Sequence, residues 1–388
     1  MSRITTPRRR LLAAATGGLA VLSFQASMTA ATAATADDAV TVVAKGLDNP
    51  RGLSFGPDGA LYVALAGSGG KIKCAAMPAE PGAKPEKMCF GTSGKIIKIK
   101  DGATSTVVSK LPSAASGGFG LGPHDVAVAD DGRMLVTIGL GGDAKLRAKL
   151  GPKARNLGTL LSIDGKGKVV RVADLVAHEV KHNPDGKDKG SSVDAYPFGV
   201  VATPDGGALV TDVGGNDVLK VSAKGKISTR AVFHARSADA PPALKMPKGS
   251  KLPLQSVPMG ITRGPDGAYY VAEHAGFPQP EGVARVFRLS GKGKPTVAAK
   301  GFTTVVDIAF DAKDRMVILG SVGKVPASGQ PLTTLYRIEA DGSRTELLKP
   351  GTLKAPIGMA LADDGSVYVS QNPYAPGKGE VVRVTVAE

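Results

Sequence analysis

Two aspartates stand where a repeated phrase of this chain otherwise places glycine. The phrase is Pro-x-Gly-apolar: PRGL from Pro50, PFGV from Pro197, PMGI from Pro258 and PIGM from Pro356. PHDV from Pro123 and VVDI from Val305 are the exceptions, so Asp125 and Asp307 hold equivalent positions three repeats apart in a set of six. The residue before them is Arg51 or His124 in the first two phrases and the apolar Phe198, Met259, Val306 or Ile357 in the others. Polar residues also close a later apolar run in three repeats: Asp212, Glu273 and Gln371, followed by His274 and Asn372. Gathered in one place, Arg51, His124, Asp125, Asp212, Glu273, His274 and Asp307 have two chemistries open to them. Carboxylates and imidazole suit a divalent cation such as Ca2+, and Arg51 suits an anionic ligand. The plainer role, hydrogen bonding to a neighbouring backbone, fits Asp212 and Glu273 at strand ends. For Asp125 and Asp307 a site role is preferred, because a buried acid without partners is costly.

Other catalytic signatures are missing. The chain has no Gly-x-Ser-x-Gly elbow and no Walker loop, and GGFGLG at 117–122 precedes a strand rather than the helix that a dinucleotide fingerprint requires. His178 and His182 in HEVKH copy part of a zinc motif, but their surroundings are rich in Pro, Gly and Lys and predict a solvated loop without a third ligand. Cys74 and Cys89 are the only cysteines, and a lone pair 15 apart in an oxidising compartment predicts a disulfide.

These residues are carried by a sixfold repeat. An apolar run, an Asp-Gly-type turn and a second apolar run recur as SFGPDGALYVA from Ser54, VAVADDGRMLVT from Val126 and VATPDGGALVT from Val201. ITRGPDGAYYVA from Ile261, IAFDAKDRMVIL from Ile308 and MALADDGSVYVS from Met359 complete the set. A third run follows in every repeat and a fourth in all but the last, which ends after GEVVRV. Period-two alternation and Gly/Asp/Asn turns mark all of these as strands. Repeats of this length predict an all-β, six-bladed β-propeller of four-stranded blades. The orphan strand VTVVAKGL at 40–47 matches the fourth-strand pattern and is expected to complete the last blade and close the ring. The long insertions, 66–93, 139–157, 176–197 and 234–258, then fall on one face of the disc, where binding usually resides.

Residues 1–36 read as a signal peptide, leaving 37–388 as a single propeller domain. Arg3, Arg8, Arg9 and Arg10 precede the apolar stretch 11–24, and Ala34-Thr35-Ala36 supplies a small-x-small cleavage site. Arg-Arg-Arg-Leu-Leu at 8–12 resembles a twin-arginine signal, and the ordinary secretory route stays open beside it. Cleavage removes four arginines and no acids, taking the formal charge from +15 to +11. The excess is largely loop lysine, which either solubilises the surface or attracts an acidic polymer or anionic lipid. Nucleic acid is not expected as a partner: the chain is exported, Trp is absent and no basic helix is present. No later stretch has the length to cross a membrane as a helix, and a secreted monomer is expected.

LDNPRGLSFGPDGALYVALAG, GPHDVAV, GTLLSID and DAYPFGVVATPDGGALVTDVGGNDVLKV together resemble the ScyD/ScyE-type family of exported bacterial propellers. That family is named after members encoded beside genes for scytonemin, a sunscreen pigment, and the resemblance spans essentially all of 37–388. More broadly the blades look like NHL-type repeats, whose propellers bind protein, nucleic acid or ligand. Six-bladed relatives include gluconolactonases, which hold a divalent metal through a first-blade Glu. The aligned position here carries Arg51, a cation. The expected function is therefore a secreted binding or scaffold module, acting through its loop-rich face and channel mouth on a protein, an acidic polymer or a small molecule. The alternative is a metal-dependent hydrolase or lactonase at the channel mouth.

Overall fold

The computed structural model describes residues 39–77, 86–326 and 329–386, and the expected leader at 1–36 lies outside the described residues. The chain is mostly β, and its strands pair antiparallel, largely in chain order within a repeat; in the first, Leu61–Leu65 pairs with Lys87–Lys100 and Lys73–Ala76 lies off that path. In the second repeat the order is Pro123–Val128, Met134–Ile138, Thr159–Ile163 and Val169–Asp174. In the third it is Pro197–Ala202, Ala208–Asp212, Asp217–Val221 and Ile227–Val232. Burial follows position in the sheet. Met134–Ile138 is buried at every residue, as a strand covered on both faces must be, whereas Val169–Asp174 begins with three exposed residues.

The strand Val40–Leu47 pairs with Gly379–Val384, in the register Val40↔Val384, Val42↔Val382 and Leu47↔Gly379. Two pieces of chain more than 300 residues apart thus share one sheet, ordered Val40–Leu47, Gly379–Val384, Val367–Gln371, Gly358–Leu361. Ala44 and Leu47 join the apolar cluster of Leu53, Leu61, Val63 and Val381, so this strand also ties the sixth repeat to the first.

The four insertions contain structure of their own. Residues 139–157 include the helix Ala144–Lys149, and 234–258 include the paired strands Arg236–Asp239 and Lys251–Leu254. One expectation is corrected: HEVKH is not a loop but part of the helix Leu175–His182. The Asp174 side chain caps its N-terminus and Asn183, in the left-handed region, ends it. Its histidine rings lie tilted against each other with centroids 4.2 Å apart, and His178 Nε2 lies 3.4 Å from the Thr229 hydroxyl.

Cys74 and Cys89 face each other in register on paired strands and form the expected disulfide. Closing a loop of this size is worth about 3 kcal/mol in the chain-entropy picture. Urea titrations with and without reductant should therefore differ by about that amount. Coincident curves, with the thiols shown to be free, would assign the bond no stabilising role.

Candidate functional site at the channel mouth

The seven residues singled out by sequence do not meet at one point; they separate into four environments. Asp125 and Asp307 line a cavity of about 340 Å³ whose walls come from the first strand of every repeat. Each carboxylate links three repeats. Asp125 accepts N–H bonds from Val126 and from Val200 of the next repeat, both 2.8 Å. Asp307 does the same with Ile308 and with Met359, both 2.9 Å. On the other side each sits against the glycine of the preceding repeat: a Cβ at Gly52 would lie 1.9 Å from Asp125 Oδ1, and one at Gly260 2.2 Å from Asp307 Oδ1. The six phrases are thus built as two equivalent triplets, in which an acid is possible only where the previous repeat lacks a side chain.

Hydroxyls add to this stitching. Thr137 donates to the Phe198 carbonyl, Thr211 to that of Met259 and Ser370 to that of Arg51, each in the next repeat. Sequence reading had passed over all three, because an inward Thr or Ser in a strand carries no signal of its own.

Burial pushes Asp307 up to about 7. Asp125 is raised well above the carboxylate range by burial and then by the Asp307 charge. An unfolded Asp titrates near about 4, so between about pH 4 and about pH 7 the folded chain keeps a proton that the unfolded chain releases. Stability from this group therefore falls as pH rises through that window. Asp307→Ala should cost about 1–3 kcal/mol at pH 5, through the loss of the acceptor for two buried N–H groups. Its deficit against the parent should shrink toward pH 8. Paired denaturant titrations showing a deficit that grows with pH would contradict this account.

Glu273 is committed elsewhere. It is 1 % exposed and binds Arg285 through both oxygens (2.8 and 2.9 Å), Arg236 at 2.9 Å and the Ser256 hydroxyl at 2.5 Å. It braces a basic groove of about 600 Å³ that also presents Arg230, Lys292 and Lys294. His274 is half-buried, with Nδ1 2.6 Å from the Thr304 hydroxyl. Asp212 belongs to a further group on the third repeat, where Oδ1 accepts N–H bonds from Tyr196 (2.6 Å), Gly214 and Gly215. Burial raises Asp212 to about 7. Among the described residues no three His, Cys, Asp or Glu side chains are arranged to hold a metal ion.

Arg51 and His124 make the fourth environment. Arg51 is 1 % exposed, yet among the described residues no carboxylate pairs with it. One guanidinium nitrogen donates to the Gly120 carbonyl at 2.8 Å, while Nε is buried without a partner. Two half-exposed rings cover the guanidinium: Phe119, its centroid 5.6 Å from Cζ, and Tyr374, at 5.3 Å. These rings stack on each other at 5.9 Å. His124 lies 3.9 Å from the Phe198 ring and meets Tyr196 edge-on at 5.3 Å. Burial, and then the charge of Arg51, holds its imidazole well below the usual range, so it is neutral. Its Nε2 is also buried and unpartnered.

The arrangement has two orphaned nitrogens, an uncompensated positive charge and an aromatic cover. Chemically it can receive an anion, because the ring faces soften the cost of burying a cation without neutralising it. Sequence identified Arg51 and His124, but the rings were missed. Phe119 lies in GGFGLG, set aside as a false fingerprint, and its lone aromatic between glycines was the available signal.

No protein-family model matches the chain, and neither does any curated protein. Solved structures do. The PQQ-bound aldose sugar dehydrogenase from Streptomyces coelicolor is similar with a TM-score of 0.51 at 14% identity, covering 90% of this chain and 98% of that one. A Bacteroides thetaiotaomicron protein of unknown function gives 0.52 at 9%, with 89% and 75% covered. The catalytically inactive virginiamycin B lyase from Staphylococcus aureus, solved with quinupristin, gives 0.46 at 15%, with 90% and 98% covered. The likeness is one of fold, and the chain is a β-propeller.

Proposed function

We propose that this chain is an exported binding module, a single six-bladed propeller over 37–388 that captures a small carboxylate-bearing ligand at its channel mouth. In this reading the blades are four-stranded, Val40–Leu47 completes the last of them, and residues 1–36 are the leader. The ScyD/ScyE-type resemblance, the Cys74–Cys89 disulfide and the paired N-terminal strand support it. No helix among the described residues is long and apolar enough to cross a membrane.

One observation carries the ligand reading: Arg51 is buried, has no acidic partner among the described residues and keeps Nε unsatisfied. A buried charge left this way is expensive, and a carboxylate received at Arg51 Nε and His124 Nε2 removes the expense. The exposed faces of Phe119 and Tyr374 offer apolar contact to the rest of the molecule. Benzoate, with methyl benzoate as the neutral control, is the probe that tests this. The hydrolase alternative receives no comparable support, since Glu273 is held by two arginines and Asp125 and Asp307 by backbone N–H groups.

A further inference from the structure

A second group of orphaned atoms lies apart from Arg51, where the insertion at 176–197 packs on the third repeat. Asp217 is 1 % exposed, and neither of its carboxylate oxygens has a hydrogen-bond partner among the described residues. Asp212 Oδ2 and Asn216 Oδ1 are buried and unpartnered as well. Four oxygens in a stretch of six residues are therefore sequestered from water with nothing to bind. Glu179, on the helix Leu175–His182, and Asp185, in the loop that follows, face the same turn and are 3 % and 0 % exposed. A Cβ at residue 215 would lie 3.1 Å from Glu179 Oε2 and 3.7 Å from the Asp212 carboxyl carbon, so these two acids flank Gly215.

The surrounding hydrogen bonds orient this group without neutralising it. Asp212 Oδ1 takes three backbone N–H bonds, which leaves Oδ2 free. The Asn216 amide donates to Asp185 at 2.8 Å and to Gln255 at 3.2 Å, fixing its own oxygen in place. With its amide turned to donate, Asn183 reaches Glu179 Oε1 and Asp185 Oδ1, both at 3.1 Å. The charges acting on Glu179 and Asp217 are those of other acids in the group and of Asp194; no lysine or arginine is among them. Several buried carboxylates without a cation are a large unfavourable term.

We propose that this turn is a divalent-cation site of the calcium type, with Asp217, Asp212, Asn216, Glu179 and Asp185 supplying an all-oxygen ligand set. Hard oxygen donors from carboxylates and an amide are what Ca2+ prefers. A divalent ion in this place offsets half of the negative charge that the four ionised acids carry. Among the described residues no three of these acids already surround one point, and the proposal requires their side chains to turn inward onto the ion. Binding ties the helix Leu175–His182 and its following loop to the turn at 213–216. Asp212 also holds the Tyr196 backbone, which places the ion behind one wall of the channel mouth. The site stands independently of what Arg51 binds.

The test uses the full 37–388 chain, stripped with a chelator, dialysed and titrated with CaCl2 alone by calorimetry, alongside thermal melts. One Ca2+ per chain and a melting temperature raised by several degrees are expected. Asp217→Asn and Glu179→Gln should each weaken binding at least tenfold, while Asp364→Asn, a surface acid paired with Arg383, should bind as the parent does. Circular dichroism reports whether each variant folds; if one does not, the other decides. A stripped parent that takes up no Ca2+, or Asp217→Asn and Glu179→Gln variants that bind it unchanged, would overturn the proposal.

Discussion

Arg51→Met is expected to raise the stability of the ligand-free protein by about 1–2 kcal/mol while abolishing carboxylate binding. Methionine roughly keeps the apolar volume of the side chain beneath Phe119 and Tyr374 but removes a buried charge that no carboxylate among the described residues balances. Replacing a buried, imperfectly compensated charge by an apolar side chain is often neutral or stabilising by about 1–4 kcal/mol. The loss of the bond to the Gly120 carbonyl subtracts about 1 kcal/mol from that gain. Arginine kept for packing would behave in the opposite way, since removing it would lower stability and leave binding untouched. Urea unfolding of both proteins checks the sign, and a variant less stable than its parent would point to a structural role. Stability given up at one position is the ordinary signature of a site that waits for a ligand.

Removal of residues 39–47 should have the largest effect on folding of any single change considered. The deletion strips the ladder from Gly379–Val384 and uncovers Val381, Val382 and Val384, each fully buried in the intact chain. It also takes Ala44 and Leu47 from the cluster that joins the first and sixth repeats. Each buried aliphatic side chain is worth about 1.5–3 kcal/mol and each ladder bond about 0.5–1.5 kcal/mol. A loss of about 5 kcal/mol or more is expected, comparable with the whole stability of a marginal domain. The freed strand edge should also promote association. Thermal melts and light scattering of the truncated chain measure both effects. A monomer melting cooperatively at the parent temperature would show that the strand is dispensable.

The fold was readable because a propeller writes its architecture into period and turn chemistry. Each Asp-Gly turn marks a hairpin, and the orphan run at 40–47 marked its pairing with Gly379–Val384 by likeness to other fourth strands. Asp125 and Asp307 were legible as departures, but their meaning was not. The matching glycines, Gly52 and Gly260, are unremarkable in a chain that repeats Pro-x-Gly, and only the packing of adjacent repeats shows that acid and glycine need each other. Glu273 gave no hint of its partners, since Arg236 lies in an insertion 37 residues away. Asp217 escaped notice because an acid opening a strand after Gly-Gly-Asn reads as turn chemistry. Glu179, which acts on it, stands on the helix Leu175–His182, in a stretch whose composition predicts a loop. Local pattern exposes what repeats, whereas sites assembled from insertions depend on contacts that no local pattern records.

The central claim is that Arg51 is held ready for an anion, and calorimetric titration of the parent and Arg51→Met with benzoate and methyl benzoate tests it most directly. The account predicts saturable benzoate binding to the parent, at least tenfold weaker binding of the uncharged ester, and no measurable benzoate binding to the variant. Equal affinity for acid and ester, or benzoate bound equally by parent and variant, would contradict it.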